Sequence, residues 1–146
     1  PLGPSPVLAQ VLDERLAQAG ARGTDALELA AAGSADPRAV VDLELVAARL
    51  AQRRGGPVHL AFAAPPTGPI TRPSVAEAVA HARRNGSRRV AVASYLLADG
   101  LFQHRLERSG ADVVGRPLGL HPAVITLACA RARVAHAGAP RQTASR

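Results

Sequence analysis

Ala26-Leu27-Glu28-Leu29-Ala30-Ala31-Ala32-Gly33-Ser34-Ala35-Asp36-Pro37 is the most informative segment of the chain. Its first half reads as a short buried strand, and Gly33-Ser34 turns the chain into a helix start. Asp36 is a good N-cap, because its carboxylate accepts a first-turn N–H. Pro37 suits the first helical position, where its missing N–H would be unpaired anyway. A strand end that turns directly into a helix start is where open α/β sheets place ligands. Here that edge carries only alanine where a reactive side chain would be expected.

Working outward, four apolar runs read as buried strands: Leu27 to Ala31, Val58 to Ala63, Val90 to Leu96, and Asp112 to Val114. None alternates cleanly, which fits strands covered on both faces. Helical patterns lie between them. Asp36 to Arg53 places Val40, Leu43, Val46, Ala47 and Leu50 at helical spacing, and Gly55-Gly56 stops it. Ser74-Val75-Ala76-Glu77 is a capping box opening a helix that ends at Asn85-Gly86. A shorter helix spans Asp99 to Arg108, with Asp99 as its cap, and Pro122 opens the last one, which is expected to end near Ala135. The proline-rich segment Ala64 to Arg72 is a loop on the same sheet edge as Gly33-Ser34. Alternating strands and helices predict an α/β fold: a four-stranded, mainly parallel sheet with helices on both faces.

Composition narrows the function classes. The 146 residues suffice for one domain with a core, which must be built from Ala, Val and Leu because aromatics are 2% and Met and Trp are absent. All 18 basic side chains are Arg, and the formal charge is +7. They are dispersed, however. Arg53-Arg54 and Arg83-Arg84 fall at helix C-termini, where cations complement the helix dipole, and no groove-reading motif accompanies them. No nucleic-acid partner is expected. Neither a membrane span nor a signal peptide is visible, and the single Cys129 suits a reducing compartment, so a cytoplasmic location is expected. The chain opens at Pro1 without Met, which raises the expectation of an upstream segment.

An internal echo carries more weight. Pro1-Leu2-Gly3-Pro4-Ser5-Pro6 recurs as Pro117-Leu118-Gly119-Leu120-His121-Pro122, a spacing of 116 residues, and Arg15 matches Arg131. Each copy precedes an amphipathic helix, but only the second has strands before it. Residues 1–20 therefore read as the last helix of a preceding repeat, residues 25–136 as one full α/β lobe, and residues 137–146 as a disordered tail.

Five segments, in this order, resemble the class II tetrapyrrole chelatases, the sirohydrochlorin cobaltochelatase and ferrochelatase family. They are Ala31 to Pro37, Ala61-Phe62-Ala63, Pro73 to Ala78, Ser94 to Gly100, and Pro117 to Pro122. The resemblance implies a chelatase-like lobe and, in long members, two such halves in one chain. This sequence looks like the carboxyl-terminal half. The implied reaction inserts Co²⁺ or Fe²⁺, as substrate rather than tightly bound cofactor, into sirohydrochlorin for sirohaem or cobalamin synthesis. It needs imidazoles to hold the ion and a carboxylate to help accept the pyrrole protons.

Metal-binding members carry His in a Gly-His-Gly-Ser pattern, where this chain has Ala32. Their Glu after the second strand falls at Ala64, and their second His falls at Phe102. None of these side chains can coordinate a metal. The resemblance thus implies a half without metal ligands, partnered by a metal-binding other half or a homodimer partner, with no catalytic residue of its own. His104 is the weak metal candidate. It lies two positions past the expected ligand, a helical rotation of about 200°. Gly33, Ser34, Ser94 and Tyr95 are the candidate tetrapyrrole contacts, through close backbone approach, the helix N-terminus and hydroxyls. His121 is expected to cap its helix and Cys129 to be a small buried hydrophobe. The alternative function is a noncatalytic chelatase-like binding or assembly module that has kept the fold.

Overall fold

The computed structural model describes residues 2–69 and 71–138. Five helices and four strands alternate: α1 (Pro6–Gln18), β1 (Ala26–Ala31), α2 (Pro37–Arg54), β2 (Val58–Phe62), α3 (Val75–Arg84), β3 (Val90–Tyr95), α4 (Leu101–Glu107), β4 (Val113–Val114) and α5 (Pro122–Ala137). The sheet order is β2-β1-β3-β4, and every pairing is parallel. Each β–α–β connection is a crossover. The chain moves from β1 outward to β2, then back across β1 to β3 and on to β4.

Because β1 lies between two strands and between two helix layers, its side chains alternate between two apolar clusters. Leu27, Leu29 and Ala31 pack on one face with α1, α2 and the first turn of α5. Ala30 packs on the other with Val75, Val79 and Leu106 from α3 and α4. The expected α/β sheet with helices on both faces is therefore the observed one. The caps formed as the residue types dictate. Asp36 accepts from Arg38 N–H at 2.9 Å, and Ser74 and Glu77 form a reciprocal capping box. His121 Nδ1 accepts from Ala123 N–H at 3.2 Å.

Four details differ from the sequence reading. Asp99 is exposed and does not cap α4, whose N-cap is Gly100 with no side-chain bond. Asp112 stands before β4, where its carboxylate accepts from Val90 N–H at 2.8 Å and pairs with Arg83 at 3.0 Å. The Val90 amide, above all, holds the Asp112 carboxyl below its usual range. Cys129 is exposed, because α5 buries only Val124 and runs outward from there. Finally, α5 continues through Ala137, and the rest of the expected tail, residues 139–146, lies outside the described residues, as do Pro1 and Ile70.

Helix α1 is part of the core. Leu8, Val11, Leu12 and Leu16 are fully buried, and the helix packs on α2, β3 and α5. Removing the Leu12 side chain leaves a cavity in this layer. Leu12→Ala is expected to lower the unfolding free energy by ~2–5 kcal/mol in a urea titration.

Glu28 is the polar exception within β1. It is 3% exposed, its Oε2 has no hydrogen-bond partner, and the nearest imidazole, His59 Nδ1, stands 3.9 Å away from Oε1. Burial pushes its carboxyl up to about 7. The folded state therefore holds a proton that the unfolded chain releases at its ordinary carboxylate pKa. This contribution to stability is complete in acid and is lost as pH rises through about 7. Glu28→Gln should match the parent melting temperature at about pH 4 and exceed it at about pH 8, read by circular dichroism.

Candidate functional site

In a parallel sheet all strand-to-helix loops leave from one edge, so the sequence order fixes which loops meet. After β1 the chain turns toward β2, whereas after β3 it turns the other way, toward β4. The turns after β1 and β3 therefore flank the topological switch point, where open α/β sheets form their crevice.

The turn after β1 is built from backbone. The β1–β2 ladder continues past both strands, with Ala63 N–H donating to Ala31 O at 2.8 Å and Ala64 N–H to Ala32 O at 2.9 Å. Gly33 follows at φ 141°, and a Cβ there would overlap the Ala64 carbonyl oxygen. Ser34 Oγ accepts from Asp36 N–H at 3.1 Å, tightening the entry to α2. Gly33 is exposed and Ser34 half-buried, so both lie at the crevice.

The two candidates on β3 do not act together. Ser94 pairs in register with Ala30 and Tyr95 with Ala31, so their side chains point to opposite faces of the sheet. Ser94 is 1% exposed and its hydroxyl donates to Gln103 Oε1 at 2.7 Å, while Gln103 donates to Gly115 O at 3.2 Å. This buried chain fastens β3, α4 and the loop after β4. Tyr95 is half-buried on the α1 side, and burial raises its phenol pKa, helped by the charge of Asp42.

The positions implied to carry metal chemistry are Ala32, Ala64 and Phe102. Around them the edge is apolar and exposed: Leu97 is 59% accessible, Leu101 66%, Phe102 39% and Leu120 86%. The backbone oxygen of Leu97 lies close to Gly119, so the loops after β3 and β4 adjoin. His104 is exposed on α4. Among the described residues, no group of three His, Cys, Asp or Glu side chains is placed to hold a metal ion. Sequence reasoning missed Arg105, whose Nη1 donates to Ala63 O at 3.3 Å and whose guanidinium carbon lies 5.6 Å from the Phe102 ring centre.

A groove of about 1080 Å³ opens elsewhere, along the free side of β2, lined among others by Glu28, Val58, His59, Glu77 and His81. Its charged side chains are largely committed to internal pairs, such as Arg72 with Glu44, Arg54 with Asp13, and Asp25 with Arg89. The carboxyl edge, with its exposed apolar rim beside free turn backbone, is the better candidate site.

Residues 26–135 match the family model described as CbiX. Among solved structures, "SirB from Bacillus subtilis with Fe3+" shares the fold, with a TM-score of 0.75 and 20% sequence identity over 91% of this chain. The match covers 55% of that chain, so the present sequence spans about half its length. No curated protein matches.

The Gly33 turn is testable without a ligand. Gly33→Ala should cost ~1–3 kcal/mol by chemical denaturation, because φ is positive and the Ala64 carbonyl blocks a side chain. Gly110→Ala, also at positive φ but facing open space, should cost less.

Proposed function

Because the chain belongs to the CbiX family, the class II chelatases, we propose that this lobe forms one wall of a sirohydrochlorin chelatase cleft and leaves the metal to a second lobe. The observation that carries this reading is the combination found at the switch point. An exposed apolar rim of Leu97, Leu101, Phe102 and Leu120, after β3 and β4, shares the sheet edge with the glycine turn after β1, while Ala32, Ala64 and Phe102 stand where metal and proton-handling groups are implied. Flat macrocycles are bound by apolar walls, and their peripheral carboxylates by N–H donors at turns and helix starts. The Gly33-Ser34 turn and the half-buried Tyr95 suit such contacts. Ser94, turned inward, shapes the wall through Gln103.

In this division of labour the lobe binds and orients the tetrapyrrole. The incoming ion, a substrate of the complete protein, is held by imidazoles elsewhere. The Fe³⁺ named with SirB supports iron beside cobalt as that ion, and so sirohaem beside cobalamin synthesis. No described helix is long and apolar enough to cross a membrane.

The two-half reading draws support from the echo at the helices. Both α1 and α5 start with Pro after a side-chain cap, Ser5 and His121. The buried positions Leu8, Ala9, Val11, Leu12 and Leu16 of α1 correspond to Val124, Ile125, Leu127, Ala128 and Ala132 of α5. In α5 only Val124 is buried. On this reading α1 closes this lobe as the last helix of a preceding repeat, and α5 offers the matching apolar stripe to another lobe. The same exposed stripe favours, as the second reading, a noncatalytic assembly module.

Titration calorimetry of the chain with Co²⁺ should show no tight site, and the chain alone should insert neither Co²⁺ nor Fe²⁺ into sirohydrochlorin. A stoichiometric Co²⁺ site that disappears in His104→Ala would overturn the proposal.

A further inference from the structure

We infer that Arg105 is a carboxylate-binding residue at the mouth of the crevice, and that this lobe presents a cation where a metal-binding lobe presents a ligand. The inference rests on the reading of this edge as a tetrapyrrole wall, and it adds the group that recognises the substrate's charge.

The Arg105 side chain reaches across the sheet edge. Arg105 belongs to α4, which follows β3, yet its Nη1 donates to Ala63 O at the end of β2. Strand β1 lies between β2 and β3. The side chain therefore crosses the position of β1 near its carboxyl end, where Ala63 and Ala64 N–H donate to Ala31 and Ala32 O. Arg105 is three residues after Phe102, so the two share one face of the helix, and the guanidinium lies over the phenyl ring at 5.6 Å. One hydrogen bond to a carbonyl and one aromatic face hold the group in place. It forms no ion pair among the described residues, as is true also of Arg22, Arg84, Arg88, Arg108 and Arg116, and what sets it apart is the bond that carries it to Ala63 O.

A guanidinium held this way has most of its N–H donors free, and they match a carboxylate in a bidentate fork. Holding the group in advance lowers the entropy lost when it binds. Its fixed positive charge also repels a divalent cation at the place where the resemblance puts a metal ligand. The neighbouring Leu97, Leu101 and Phe102 are apolar, so a ligand that fits has a hydrophobic ring plane and acidic substituents at its rim.

The test uses uroporphyrin, a porphyrin carrying peripheral carboxylates, and a cationic N-methylpyridyl porphyrin of the same ring, each titrated into the full chain by fluorescence quenching. Arg105→Gln should weaken uroporphyrin binding about tenfold and leave the cationic porphyrin unaffected or bound more tightly. Arg105→Lys should recover part of the loss, because it restores charge without the fork. Unchanged melting curves will show that both variants fold. In a second arm, the Arg105 Nε–H resonance is followed while glutarate is added, and it is expected to shift. If uroporphyrin binds equally well to the parent and Arg105→Gln, the inference is overturned while the cleft reading stands. If the parent binds no porphyrin but glutarate shifts the resonance, the carboxylate site stands and the cleft reading fails. A parent that responds to neither ligand refutes the inference.

Discussion

The hydrogen bonds from Ala63 and Ala64 to Ala31 and Ala32 carry the β1–β2 ladder past the end of both strands, and they leave no room between the two loops for a side chain. Gly33 is the residue that makes this closeness possible. The β1–β2 end of the mouth is therefore shaped by main chain, not by side chains. A site of this kind can exchange its reactive groups for methyl groups without losing its form. Ala32 and Ala64 still supply the ladder's carbonyl and amide, which would be the same whatever side chain stood there. Such independence of scaffold from chemistry is what allows a fold to keep its crevice while its reactive groups change.

The net charge of +7 has to be viewed through the pairing of its arginines. Arg53 and Arg54 both meet Asp13, Arg89 meets the buried Asp25, and Arg83 joins Asp112 and the Gly110 carbonyl. These pairs tie one element to another across the lobe. Most are partly exposed and individually weak. Their effect is to consume cations that a count of residues would offer to any polyanion. What is left for recognition is selected by position rather than by number.

The elements were legible in the sequence because each obeys a local rule. Doubly covered strands lack alternation, the capping box at Ser74 is a fixed spacing, and Gly55-Gly56 ends α2. The failures have physical causes of the opposite kind. Asp99 has the right side chain for a cap, but Gly100 adopts the turn and α4 starts one residue later. Asp112 holds Val90 twice, its N–H donating to Val90 O and its carboxylate accepting from Val90 N–H, one residue before β4 begins. Cys129 is exposed because α5 leaves the body, which no residue within α5 announces. The opposed directions of Ser94 and Tyr95 follow from strand period and were open to inference. Arg105 was not, because one arginine among many gains its meaning only from Ala63, forty-two residues away in sequence.

The family match begins at residue 26, yet Leu8, Val11, Leu12 and Leu16 of α1 are wholly inside the protein. The stretch recognised by homology is thus narrower than the stretch that folds. A gene fusion or excision joined at the homology boundary would uncover the parts of α2 and β3 on which α1 packs, an apolar surface of the kind that drives aggregation. A break that falls upstream of α1 keeps this core covered. The helix that looks like a leftover from a neighbouring unit thereby belongs to the piece of sequence that must travel together for the fold to be inherited.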